Sequence, residues 1–268
     1  MYPTKEENYN NALERTYGTH NVRGVCPFEE DQILQDLWHR LAPQYEDDTM
    51  QVLTEPNNGL TQKKNEIIEV WRVFRRLRPK VILELGIAQG GSFAGWCELA
   101  PEDAFFIAMD QAIEDCRPRP GDPIHPKIGR MQEIIDGTLT TKLSGSGGGV
   151  HHLKKYPTQT IEVIRGWSFE KMAQDRVLKV LDGRKIDFMF HDASHEASMF
   201  QRDYDFFWPL MAEGGVMAVQ DIAYSSNPDV TKPQVWEQIK RNGDHHTCYE
   251  YAMADHMNQS MGIGLLFK

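Results

Sequence analysis

Apolar residues fall along this chain in two rhythms, and the switches between them predict its elements. In "EEDQILQDLWHRLA" (29–42) they recur at helical spacing: Ile33, Leu34, Leu37, Trp38, Leu41. "TEPNNGL" follows as a loop. "TQKKNEIIEVWRVFRRL" (61–77) is a second helix, with Thr61 placed to cap it and Ile67, Ile68, Trp71, Phe74 and Leu77 as its stripe. Pro79 stops it. Unbroken apolar runs then alternate with helical patterns. Strands are expected at 81–85, 104–110, 160–168, 186–192 and 215–221, and helices after the first strand, at 169–181 and at 196–211. Strands apolar on both faces, alternating with helices, predict an α/β fold with a doubly wound, mostly parallel sheet. "CYEYAMAD" (248–255) and "MGIGLLFK" (261–268) are joined by "HMNQS", a link too short for a crossover helix. They are expected to form an antiparallel pair that completes seven strands.

Residues 1–60 form an N-terminal helical elaboration on a domain covering 61–268. The alternation is interrupted at about 111–160, which contains "RPRPGDPIHPK" and "SGSGGGVHH". So long a Pro- and Gly-rich insertion is either a lid over a site or an idle excursion. His151 and His152 are read as loop residues there.

Composition narrows the class. The 268 residues carry a formal net charge of −10, which disfavours a nucleic-acid backbone as partner. Cys26, Cys97, Cys116 and Cys248 are scattered, which fits a reducing, cytoplasmic setting better than a disulfide framework or a zinc site. The first residues lack the apolar run of a signal peptide, and no stretch has the length of a membrane span. A small-molecule site is expected, and a homo-oligomer stays open.

The chemistry starts at "VILELGIAQGGSFAGW" (81–96), a buried strand running into a glycine turn and a helix. In a doubly wound sheet, ligands bind at the carboxyl ends of the strands near the switch point. A dinucleotide fingerprint aligned on Gly86 would need glycine at Ala88, where backbone approaches a pyrophosphate. A phosphate-loop lysine is also lacking. Asp110, at the end of the second strand, is placed to hold ribose hydroxyls of a nucleoside ligand. A second constellation follows. "FHDASH" ends the fourth strand and "AVQDI" the fifth, so Asp192 and Asp221 both sit at carboxyl ends. On neighbouring strands they would be about 4.8 Å apart and would need a positive charge between them. Oxygen ligands of this kind suit Mg²⁺, Ca²⁺ or Mn²⁺, with Gln220 adding a carbonyl and His195 reaching the same pocket. Trp167 and Ser168 could flank an adenine, though a core tryptophan fits as well. His191 reads as a core or supporting residue, and Asp203 and Asp205 as helix-face or local-network acids.

"E-x-G-x-x-x-G", here Glu84, Gly86 and Gly90, resembles the first motif of class I S-adenosylmethionine-dependent methyltransferases, a Rossmann-like fold. "RPKVILELGIAQGGS" and "IDFMFHDASHEASMFQRDYDFFWPLMAEGGVMAVQDI" together resemble a narrower family. It holds macrolide-sugar and rhamnosyl O-methyltransferases and the cephalosporin-pathway proteins once called hydroxylases. The likeness runs over about 59–268, leaving the insertion unmatched. It implies S-adenosylmethionine as cofactor, with Glu84, Gly86, Gly90, Ser92, Asp110 and Ser168 around it. It implies a divalent cation such as Mg²⁺ on Asp192, Gln220 and Asp221, and His195 as general base beside Asp192. That family has an acidic pair where this chain has Gln220–Asp221. The expected activity is O-methyl transfer to a hydroxylated small molecule, a sugar or a glycosylated natural product. A cofactor-binding partner without turnover and an NAD-dependent enzyme on a similar sheet are the alternatives.

Overall fold

Strand β1 (Val81–Leu85) is buried along its whole length, as a strand covered on both faces must be. In the computed structural model, which describes residues 28–41, 60, 62, 64–87, 90–110, 148–152, 158–223, 228–251 and 262–268, it lies mid-sheet. Helices α1 (Phe28–Leu41) and α2 (Lys64–Leu77) precede it. After it come α3 (Gly91–Leu99), β2 (Phe105–Asp110), β3 (Gly148–His152), β4 (Thr160–Arg165), α4 (Lys171–Leu181) and β5 (Ile186–His191). The rest is α5 (Ala197–Phe207), a 3₁₀ turn (Trp208–Leu210), β6 (Met211–Gln220), α6 (Lys232–Asn242), β7 (Thr247–Tyr251) and β8 (Ile263–Phe267). The sheet order is β3-β4-β2-β1-β5-β6-β8-β7. From β4 to β6 all pairs are parallel, and β8 runs antiparallel between β6 and β7.

All seven expected strands are present. The sheet gains an eighth, β3, inside the segment read as an insertion. "GGVHH" pairs antiparallel with β4, from Gly148 opposite Ile164 to His152 opposite Thr160, so His151 and His152 belong to a strand and not a loop. The backbone hydrogen bonds of an edge ladder outweigh the poor strand propensity of two glycines. The rest of 111–147, and Thr61, lie outside the described residues. Helix α6 is a further element that the apolar pattern did not predict.

Two cores flank the sheet. One packs α1, α2 and α3 on one face through Leu34, Leu37, Trp71, Phe74, Trp96 and Phe188. The N-terminal helix is therefore part of the main core. Edge-to-face ring contacts, Phe74 to Phe188 at 4.8 Å among them, fix this layer. The other packs α4, α5 and α6 through Val177, Phe200, Phe207 and Trp236. Gly264 on β8 lets Trp236 settle on the sheet, since a Cβ there would lie 2.1 Å from its ring. Trp236 Nε1 also donates to Glu250 Oε1 at 2.6 Å, so α6 is held at one position on the sheet.

Parallel register aligns the strand ends. Leu85 is opposite both Met109 and His191, and Asp110 is opposite Arg165. The chain leaves β1 toward β2 on one side and reaches β5 on the other, so the switch point opens a crevice beyond Leu85 and His191.

Candidate active site

A cavity of about 420 Å³ opens at that crevice, with walls that include Gly86, Asp110, Trp167, Ser168, Asp192 and His195. Gly86 has φ +80° and Gly90 φ +83°, a region that favours glycine. At Gly86 the need is also steric, because a Cβ would lie 2.0 Å from the carbonyl oxygen of Asp192. The turn after β1 and the loop after β5 thus meet backbone to backbone. Asp192 N–H donates to Leu85 O at 2.8 Å, and Gly86 N–H to Met109 O at 2.9 Å.

Asp110 stands at the cavity edge with Oδ2 accepting the Ile87 N–H at 2.8 Å. Glu84 lies beneath the turn, fully buried, and Ser92 Oγ donates to its Oε1 at 2.5 Å. Burial holds its pKa well above the usual carboxylate range, with Ser92 and Trp96 opposing. Ser168 lines the cavity, but its hydroxyl turns away and donates to Asp203 Oδ2 at 2.7 Å. The same oxygen lies 2.9 Å from Nε2 of the buried His191. Asp203 therefore ties the loop after β4 to the end of β5, and His191 is a supporting residue. Trp167 is 41% exposed and forms part of the cavity wall, so it is not a core tryptophan.

The second constellation assembles on the β5 and β6 ends. His195 Nδ1 is 2.8 Å from Asp221 Oδ2, an ion-pair distance without the alignment of a well-directed hydrogen bond. This leaves Nε2 as the nitrogen able to meet a substrate. The Asp221 carboxylate raises the His195 pKa above 6.5, with partial burial opposing. Burial pushes the Asp221 pKa up, but His195 and Lys232 outweigh it and the net direction is down. Asp192 moves the other way, raised by burial of its carboxyl and by Asp221. Asp221 itself has φ +62°, a conformation that asparagine and aspartate tolerate better than most residues.

Two residues that the sequence patterns did not single out join this group. Gln62 Nε2 donates to Asp192 Oδ2 at 2.6 Å across 130 residues of chain. Lys232, the first residue of α6, is fully buried and donates from Nζ to Gln220 O at 3.0 Å. The start of α6 also clamps the loop that carries His195. The N–H groups of Thr231 and Lys232 both donate to His195 O, at 3.0 and 2.9 Å, and Thr231 Oγ1 accepts the Ala197 N–H that opens α5.

The two expected ligands can be tested against these contacts. A nucleoside fits, because a left-handed turn at Gly86 and a fixed Asp110 stand together on the cavity wall. A divalent cation on Asp192, Gln220 and Asp221 fits poorly. Among the described residues no three His, Cys, Asp or Glu side chains gather at metal-binding distance. Two of the expected ligand residues already face a nitrogen, Gln62 at Asp192 and His195 at Asp221, and Lys232 Nζ sits on the main-chain carbonyl of Gln220 beside them.

Strand order, crevice and turn define the class I S-adenosylmethionine-dependent methyltransferase fold. The chain belongs to the methyltransferase domain family, whose model matches residues 83–222. No curated protein matches the sequence. Among solved structures the chain is similar to an O-methyltransferase from Bacillus cereus in complex with SAH, at 12% identity over 96% of this chain and 97% of that one, TM-score 0.52. It is also similar to an rRNA methylase from Streptococcus thermophilus, at 11% identity over 78% of this chain and 98% of that one, TM-score 0.50. At such identities the likeness is one of fold, and two acceptor classes share it. Among the described residues no helix is long and apolar enough to cross a membrane.

Proposed function

We propose that this chain transfers a methyl group from S-adenosylmethionine to a hydroxyl of a small molecule, a sugar or a glycosylated natural product. The observation that carries the reading is His195 on the wall of the same cavity that holds Gly86 and Asp110, with its Nδ1 turned to Asp221. The sequence likeness to sugar O-methyltransferases supports the acceptor class. S-adenosylmethionine supplies a methyl group already made electrophilic by a sulfonium. The protein's task is to orient the acceptor oxygen in line and to take its proton. Gly86 and Gly90 let backbone approach the methionyl end, and Asp110 holds the ribose. His195 Nε2 takes the hydroxyl proton as the new carbon–oxygen bond forms. The positive charge lost at sulfur thereby reappears on the imidazole, beside Asp221, and the net charge of the site is unchanged.

The test joins binding to turnover. S-adenosylhomocysteine should bind by calorimetry, and Asp110→Ala should weaken it by about 1.5–3 kcal/mol, the scale of hydrogen bonds to a charged group. Hydroxylated acceptors incubated with S-adenosylmethionine should gain one methyl by mass spectrometry. Tight NAD binding without S-adenosylhomocysteine binding would overturn the reading, and binding without methylation of any acceptor would favour a partner protein.

A pH profile tests the base. Imidazolium cannot accept a proton, so turnover should fall as pH is lowered through a value above 6.5, because Asp221 favours the charged ring. Asp221→Asn should move that limb to lower pH.

A further inference from the structure

We propose that Lys232 is the resident cation of this site, and that its ammonium does for Asp192 and Asp221 what a bound divalent ion would do, so that transfer needs no added metal. The inference rests on the methyl-transfer reading above for its kinetic arm only.

The position of Lys232 is costly in two ways. A buried ammonium loses several kcal/mol of hydration. A cation in the first turn of a helix also opposes the helix dipole. Lys232 has both features, at 0% exposure and as the first residue of α6. A methionine or leucine would fill the same space over Phe200, whose ring centre is 5.8 Å from Nζ. What only a cation supplies is charge for the acids around it. Lys232 Nζ sits on the carbonyl directly before Asp221, and Asp221, Asp192 and Asp203 are the acids whose charge it offsets. Those three carboxylates come from the loop after β6, the loop after β5 and α5. His191 and His195 are the other titratable groups of the cluster.

The ammonium cannot drift from this place. Its backbone N–H is fixed on His195 O, its Nζ on Gln220 O at 3.0 Å, and Trp236 one turn on is locked against Gly264. The ammonium is held on the main-chain carbonyl of Gln220, directly before Asp221. With that charge nearby, the Asp221 carboxylate stays ionised and pairs with His195 at 2.8 Å. Lys232 touches neither proton nor methyl, so it is a positioning residue.

The experiment compares the full-length protein with Lys232→Met and Lys232→Arg, all saturated with S-adenosylhomocysteine. Mn²⁺ is the probe and its electron paramagnetic resonance signal the readout, which needs no acceptor. Wild type should leave the free Mn²⁺ signal undiminished. Lys232→Met should take up one Mn²⁺, lost again when Asp221→Asn is added, and Lys232→Arg should behave as wild type. With an acceptor in hand, EDTA should leave wild-type turnover unchanged. Lys232→Met should lower kcat about 100-fold with little change in the KM for S-adenosylmethionine, as for loss of a preorganised charge. Mg²⁺ should restore part of that loss. One Mn²⁺ bound by wild type and released by Asp221→Asn would overturn the proposal, as would a Lys232→Met protein that keeps S-adenosylhomocysteine affinity but binds no Mn²⁺. If Lys232→Met fails to bind S-adenosylhomocysteine, wild type and Lys232→Arg decide by the same Mn²⁺ criterion. A failure to methylate any acceptor would sink the methyl-transfer reading and leave the Mn²⁺ outcome unaffected.

Discussion

Replacing His195 by alanine should lower turnover by about 10²–10⁴-fold, the range for a positioned general base, while S-adenosylhomocysteine binds as before. The separation is expected because the two halves of the site use different parts of this residue. The imidazole is 53% exposed and adds little to the core. The backbone carbonyl carries the structural duty, receiving the N–H groups of Thr231 and Lys232. Alanine keeps that carbonyl, so the clamp survives and only the imidazole is lost. Single-turnover methyl transfer measured beside calorimetry checks both halves. Unchanged turnover would remove His195 from the chemistry.

Gly86→Ala should destabilise the protein by about 2–5 kcal/mol, combining the left-handed backbone penalty with overpacking, and should abolish cofactor binding. A Cβ at Gly86 would meet the Asp192 carbonyl oxygen at 2.0 Å and Ala193 Cα at 2.8 Å. Both are backbone atoms, so no side-chain rotation relieves the clash. Moving the loop would break the Asp192 N–H bond to Leu85 O and shift the acid with it. Gly214 is the matched control. It has φ +75° and nothing within 4 Å of its added Cβ, so Gly214→Ala should lose only the conformational part, about 1–2 kcal/mol. Urea unfolding of both variants makes the comparison, and equal losses would show that the Asp192 contact is not tight.

Patterns that depend on local periodicity were readable from the chain. The central strands are apolar on both faces because helices cover both, and that leaves an unbroken signature in sequence. Glu84, Gly86, Asp110, Asp192, His195 and Asp221 were readable as strand-end residues, because parallel register brings strand ends to one line. What the chain hid is what tertiary contact alone decides. Gln62 looks like any polar residue before a helix, and nothing local ties it to Asp192, 130 positions on. The α6 segment carries ordinary punctuation, with Thr231 before it, Pro233 in its first turn and Gly243 after it. Its apolar residues Val235, Trp236 and Ile239 make too short a stripe to stand out. Lys232 reads as a solvated charge unless the helix is placed first. Strand β3 was hidden by its glycines, since an edge ladder and not side-chain preference makes it a strand.

The placement of β8 between β6 and β7 bears on how the chain emerges from the ribosome. β6 can gain a bonded neighbour on one side, β5, once residue 220 has left the ribosome. Its other edge waits for Ile263–Phe267, because β7, although synthesised earlier, has no ladder with β6. At ordinary translation speeds, the interval from residue 221 to residue 263 lasts roughly 2–9 s. Through it, "GVMAVQ" offers a bare apolar edge of the kind that invites pairing between nascent chains. Chaperone dependence during synthesis should therefore concentrate in that window, and a chain arrested between β7 and β8 should aggregate more readily than one carried through Phe267.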